Sequence, residues 1–365
     1  MRIILFSITL LFSLNLHGQW LTSTPDMPDT VGLWHIDAVD ENTAWACAVK
    51  WTVSTGGYGF PGHDKGYFIK TTDGGENWVA GEVPLGSVPY FSNICGVNGD
   101  EAWATGLDIN TYESFVQHTT DGGQTWERQL EDGFIYPTSY VDFVHFWDAQ
   151  QGIAMGDPAT DASGADPYFE IYLTSDGGQN WNRVPRDSIF PEDPVPGEYG
   201  IGGGYQVSGS SVWFSTSEKN IYYSTNGGQS WFGLSFNINI DRFSFADALF
   251  GVVQGGATYL VTEDGGFNWV PIPSPPAAGN LVSLAAIPQS NYLLAVLMAN
   301  PVNGPFTTVI SKDKGATWQV LGVSNNACVA AFSSPTAGFA GEWQPLPRYP
   351  NVQLQWRPAL WHFFR

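Results

Sequence analysis

The stretch Lys70–Trp78 reads KTTDGGENW, and five later stretches repeat its pattern: TTDGGQTW to Trp126, TSDGGQNW to Trp181, STNGGQSW to Trp231, TEDGGFNW to Trp269 and SKDKGATW to Trp318. All six share Ser/Thr-x-Asp/Asn-x-Gly-x-x-Trp. From Asp73 to Asp313 they span 240 residues in five intervals, a mean period of 48. Self-similarity at a period of roughly 20–50 residues marks a repeat architecture, in which one unit cannot bury its apolar face alone and must stack on its neighbours.

Each unit has room for four short strands. In the first, LWHIDAVD (Leu33–Asp40), TAWACAV (Thr43–Val49), GYFIKTT (Gly66–Thr72) and WVAGEV (Trp78–Val83) are apolar, strand-like runs. Between the third and fourth, Asp-Gly-Gly makes a tight turn, because glycine reaches positive φ without steric cost. The box Asp and the Ser/Thr hydroxyl can satisfy turn amides, and the Trp supplies a broad apolar face. Four strands per repeat is a propeller blade. The same order recurs through six units, and a seventh begins at ACVAAFS but carries neither box nor fourth strand. QWLTSTP, near the N-terminus, is the spare strand that could complete it and remove two exposed sheet edges. The fold expected is all-β: a single β-propeller of seven four-stranded blades, closed by an N-terminal strand in the last blade. Six and eight blades are the neighbouring solutions.

The start, MRIILFSITLLFSLNLHG, has the early cation, apolar run and small residue of a secretory signal peptide. The expected division is a signal over 1–18 and a propeller over 19–365, placing the protein outside the cytoplasm, secreted or in the cell envelope, without membrane insertion after cleavage. Lys and Arg total 14 against 35 Asp and Glu, a formal net charge of −21. Such a surface repels phosphate backbones, so nucleic acid is not an expected partner. Cys47, Cys95 and Cys328 lie in apolar strand-like runs and read as buried free thiols.

The boxes resemble the Asp-box (BNR) repeat of sialidases, sortilin-type propellers, xyloglucan-cleaving hydrolases and photosystem II stability/assembly factors. The pairing of VDFVHFWDAQQGIAMGD with a following box looks most like the last of these. The resemblance runs from Trp20 to about Trp343 and is specific for fold but not for function. It implies that the boxes lie away from the ligand face. Asp73, Trp78, Asp121, Trp126, Asp176, Trp181, Asn226, Trp231, Asp264, Trp269, Asp313 and Trp318 are therefore expected to build blades. Photosystem factors of this kind engage partners through basic surface, from which a chain at −21 departs.

Binding is expected instead on the long, varied connections Trp51–Lys65, Gly156–Glu170 and Arg186–Tyr205, which should share one face. Candidate ligand residues there are Tyr58, Asp64, Asp157, Tyr168, Glu198, Tyr199 and Tyr205. Aromatic faces stack on sugars, and carboxylates accept from hydroxyls. Asp157, Asp161 and Asp166 match no established calcium loop, so neither metal nor cofactor is expected. The seven Arg of the mature chain form no Arg-Ile-Pro element such as a sialidase uses. A glycosidase would need two carboxylates at defined separation, and Asp157 with Glu198 is the pair available. His63 is the one histidine in a long connection, where a surface role is expected. The reading is a secreted, monomeric, non-enzymatic propeller for a protein or glycan partner; the alternative is a glycoside hydrolase.

Overall fold

The computed structural model describes residues 20–23, 31–50, 66–84, 89–108, 111, 113–134, 139–160, 167–191, 194–277, 279–299, 305–324, 329–341 and 360–363. The signal region 1–18 and Tyr58, His63, Asp64, Asp161, Asp166 and Cys328 lie outside these residues. The strands of the described residues form seven sheets, antiparallel throughout except for one strand added to the fourth. The first is the meander Val31–Ala38, Ala44–Lys50, Gly66–Thr71 and Val79–Val83. First strands of successive sheets touch one another in a closed ring, so they line the axis. In the seventh sheet, Val329–Ser334 and Ala337–Gly341 are followed by Leu360–Phe363, and Trp20–Ser23 pairs antiparallel on its outer side.

Blades are joined by large flat side chains. The second-strand Trp103 stacks on Phe146 of the next blade at 3.5 Å between centroids, and Trp213 on Phe245 at 4.0 Å. At the first junction the partner is Gly96, where an added Cβ would lie 2.3 Å from the Trp45 ring. All three indoles are essentially inaccessible. Each such ring removes about 150–250 Å² from water.

The box is a self-contained hydrogen-bond unit that recurs with the same geometry. In the second blade, Thr119 Oγ1 donates to Asp121 Oδ1 and accepts from the Gly123 amide. Asp121 Oδ1 also accepts the Thr125 amide, and Oδ2 accepts the Thr125 hydroxyl. Gly122 and Gly123 sit at φ +77° and +87°, which explains the paired glycines. The Gly122 amide then donates to Asp100 O of the first-to-second-strand turn. Equivalent latches join Gly74 to Asn42, Gly177 to Gln150, Gly227 to Ser210, Gly265 to Leu249 and Lys314 to Asn291. Boxes and first turns therefore occupy one end of the propeller, the box end. The remaining connections occupy the other, the loop end.

One expected connection is built differently. Arg186–Tyr205 is not a single long loop: Ile189–Phe190 forms a fifth strand, parallel to the outer strand Trp231–Ser235 of the fourth blade. Gly200–Ser208 is that blade's inner strand, with a register shift between Gly200 and Tyr205. The reason is burial. Ile189 is completely enclosed within the cluster of Phe169, Phe214 and Trp231, which fixes the segment to the blade edge.

Candidate functional site

The loop end of the third and fourth blades gathers four buried acids. Asp142 is on the inner strand Val141–Phe146, Asp157 near the end of Gly152–Ala159, Glu170 on Tyr168–Thr174, and Glu198 just before Gly200. Glu170 lies 3.3 Å from the Arg183 guanidinium and accepts from the Tyr172 hydroxyl at 2.8 Å. Glu198 accepts from Thr216 and Asn220 through Oε1 and from the Val195 amide through Oε2. Asp157 Oδ1 accepts the Gly200 amide at 2.9 Å. Asp142 Oδ2 is buried without a hydrogen-bond partner and abuts Gly200, where a Cβ would come within 2.0 Å of it.

Burial, with few compensating donors, drives both aspartates toward the neutral form. Asp157 is pushed up to about 6, and Asp142 is raised well above the usual range by burial and by Asp157 beside it. The two act as one pair that resists losing its last proton. The pair lies beneath the Glu198–Gly200 segment.

Of the proposed ligand residues, these positions correct several. Glu198 is a folding residue with its acceptors filled, not an open acceptor. Tyr168 is buried, its ring covered by the Arg183 guanidinium at 4.1 Å. Tyr205 is not on a loop: it belongs to the inner strand and stacks on Phe143 at 4.3 Å and His35 at 5.8 Å. The alternative pairing of Asp157 with Glu198 is replaced by Asp157 with Asp142. Tyr199 is on the surface, 54% exposed. Phe190, Val195 and Ile201 of the same segment are also exposed.

The axis itself holds a cavity of about 1000 Å³, walled by the inner strands. Here His35, Asp37 and Asn93 of the first two blades meet His145 and Tyr205 of the next two. Asn93 Nδ2 donates to the Tyr205 hydroxyl at 3.0 Å, and Asn93 Oδ1 accepts the Val144 amide. Asp37 Oδ2 accepts the Gly96 amide at 2.8 Å, and the Cys95 thiol donates to the same carboxylate. Cys95 Sγ also lies 3.5 Å from His145 Nδ1. Burial holds His35 down to about 4 and His145 to about 3, and pushes Asp37 up to about 6. Both imidazoles are thus neutral at pH 7. Cys47 and Cys95 are free and buried, and burial raises both thiols, so neither is a poised nucleophile. Among the described residues no three His, Cys, Asp or Glu side chains are arranged to hold a metal ion. Sequence reasoning passed over this cluster. Its trace was His35 and Asp37 two apart in an apolar run, hence on one face of a strand.

The BNR/Asp-box repeat model matches residues 117–128. The chain is 29% identical over 189 residues to a xyloglucanase of a Paenibacillus species, covering 48% of this chain and 17% of that protein. It is 24% identical over 314 residues to a sialidase of Micromonospora viridifaciens, with 69% and 48% covered. To the chloroplastic photosystem II stability/assembly factor HCF136 of Arabidopsis thaliana it is 27% identical over 131 residues, with 34% and 27% covered. The chain spans less than half the length of each of these relatives. Among solved structures, YCF48 bound to D1 peptide superposes with a TM-score of 0.62 at 17% identity over 96% of both chains. YCF48 from Cyanidioschyzon merolae gives 0.60 at 18% identity, over 94% of this chain and 98% of that one. At these identities the likeness to YCF48 is one of fold. With six boxes in the sequence, each forming the third-to-fourth-strand turn of one of the first six blades, the chain is a β-propeller whose turns are similar to the BNR/Asp-box repeat.

Proposed function

We propose that the protein is a secreted, non-enzymatic propeller whose loop-end face, around the fourth blade, binds a partner, and that this partner is a protein rather than a glycan. One observation carries the reading. Among the described residues of the segment 189–201 the carboxylate of Glu198 is consumed internally, while the large side chains left in water are apolar: Phe190, Val195, Tyr199 and Ile201. Large apolar side chains exposed along one segment favour protein contact. A sugar site would need open acceptors, and the carboxylate among the described residues of this segment, Glu198, has its acceptors filled. That YCF48 is seen with a D1 peptide bound supports the use of this fold for peptide recognition.

A photocrosslinking residue at position 199 of the full chain, expressed in its source cells, should capture one discrete protein, and Ile201→Ser should abolish the adduct. Binding on a glycan array with no protein adduct would reverse the preference. Mass measurement of the exported chain should give a start at Gln19.

A hydrolase remains the second reading, favoured by the Asp142–Asp157 pair, since an acid held neutral near pH 6 suits proton donation. Turnover of xyloglucan or a sialoside that Asp157→Asn abolishes, with folding intact, would establish it.

A further inference from the structure

We propose that the axial cavity is a binding site for an organic cation, an ammonium or guanidinium group that enters from the box end and docks against Asp37. The inference rests on no part of the loop-end reading. Asp37 faces a cavity large enough for a side chain or small amine. It is the penultimate residue of Val31–Ala38, next to the box-end turn.

Its surroundings supply no counter-charge. Two donors meet the carboxylate, Gly96 N–H and the Cys95 thiol, and among the described residues no cation forms an ion pair with it. The imidazoles His35 and His145 stay neutral because their removal from bulk water disfavours the charged form. Tyr205, from the fourth blade, is held in its neutral phenol form by burial. From the fifth blade comes Arg242, the one Lys or Arg lining the cavity among the described residues. It opens the strand Arg242–Phe245 at its loop end, next to Asp241, and donates to the carbonyls of Asp241 and Val282. The sixth and seventh blades contribute no titratable group to the described wall. An ionised carboxylate in an enclosed space without a cationic partner attracts a cation far more strongly than one in water.

The approach is graded for a cation as well. At the box end, the first-to-second-strand turns carry Asp40, Asp100, Asp148 and Asp247, all at the surface. Surface carboxylates at this end raise the local concentration of cations there. Trp147, on one of these turns, lines the cavity and has a π face.

The test is calorimetry on the full chain at pH 7.5 with Nα-acetyl-lysine methylamide. One saturable site per chain is expected. Affinity should fall at least tenfold in Asp37→Asn, and at least tenfold in the unmodified protein at pH 5, where Asp37 takes up a proton. The pH arm decides the matter if Asp37→Asn fails to fold. Butylammonium distinguishes the source: comparable affinity marks a free-amine site, and a tenfold preference for the lysine derivative marks a partner's side chain, both sustaining a cation site. Equal binding of the uncharged acetyl-norleucine methylamide would overturn the proposal, as would affinity indifferent to pH 5 or to a folded Asp37→Asn protein. Full displacement by equimolar calcium or sodium would overturn it too, in favour of an inorganic ion.

Discussion

Within every box the Ser or Thr hydroxyl is the hinge of the hydrogen bonding, since it donates to the Asp or Asn and accepts the amide two residues beyond it. Ser224 is fully buried and holds Asn226 Oδ1 and the Gly228 amide, both at 2.9 Å. Ser224→Ala should leave that amide unpaired and cost about 1–3 kcal/mol, read from urea unfolding. The box Asp is different, because it is at the surface. Hydrogen bonds from the Thr125 hydroxyl and amide hold Asp121 down to about 2. A carboxyl easier to ionise when folded stabilises the native state above its unfolded pKa of about 4, and that contribution is lost as pH falls toward 2.

At the scale of an element, the segment before the fourth inner strand separates two neighbouring side chains. Glu198 satisfies Thr216, Asn220 and the Val195 amide, whereas Tyr199 projects into solvent. Glu198→Ala should therefore lower stability by about 2–4 kcal/mol in chemical denaturation, because several buried donors lose their acceptor. Tyr199→Ala should change it by no more than about 0.5 kcal/mol. Beneath the same segment, the Asp142–Asp157 pair has the opposite sign to the boxes. A carboxyl harder to ionise when folded favours the native state below pH about 4, and that advantage has gone once pH rises through about 6. Asp142→Asn keeps the shape, removes the repulsion and can donate to Asp157. It should gain on the order of 1–3 kcal/mol at pH 8 and flatten the stability profile between pH 4 and 7.

For the whole molecule the decisive contact is the pairing of the first strand with the last. Trp20↔Phe363 through Ser23↔Leu360 closes the ring, so the two ends of the chain stabilise one sheet. Removing the residues up to Ser23 should expose the edge of Leu360–Phe363 and lower the thermal midpoint by several degrees, with increased aggregation. An unchanged midpoint in differential scanning calorimetry would show that closure contributes nothing to stability. Closure also makes the axis a walled space, since the cavity is lined by inner strands drawn from the whole ring.

What the sequence determined by itself was local and repetitive. Glycines at positive φ, a hydroxyl two residues before a carboxylate and a fixed period specify the box and its four-stranded unit, because every partner lies within a few residues. The spare strand at the N-terminus was legible for a related reason: a sheet lacking one strand leaves open edges. The fate of single polar residues was not legible. Glu198, Asp157 and Tyr205 read as open loop groups, yet Glu198 is enclosed by Thr216 and Asn220, Asp157 by Gly200 and Asp142, and Tyr205 by His35 and Phe143. His35 and Tyr205 are 170 positions apart and touch only because four blades turn about one axis. Charge, protonation and exposure at such places depend on neighbours supplied by other repeats, and only the closed ring brings those neighbours together.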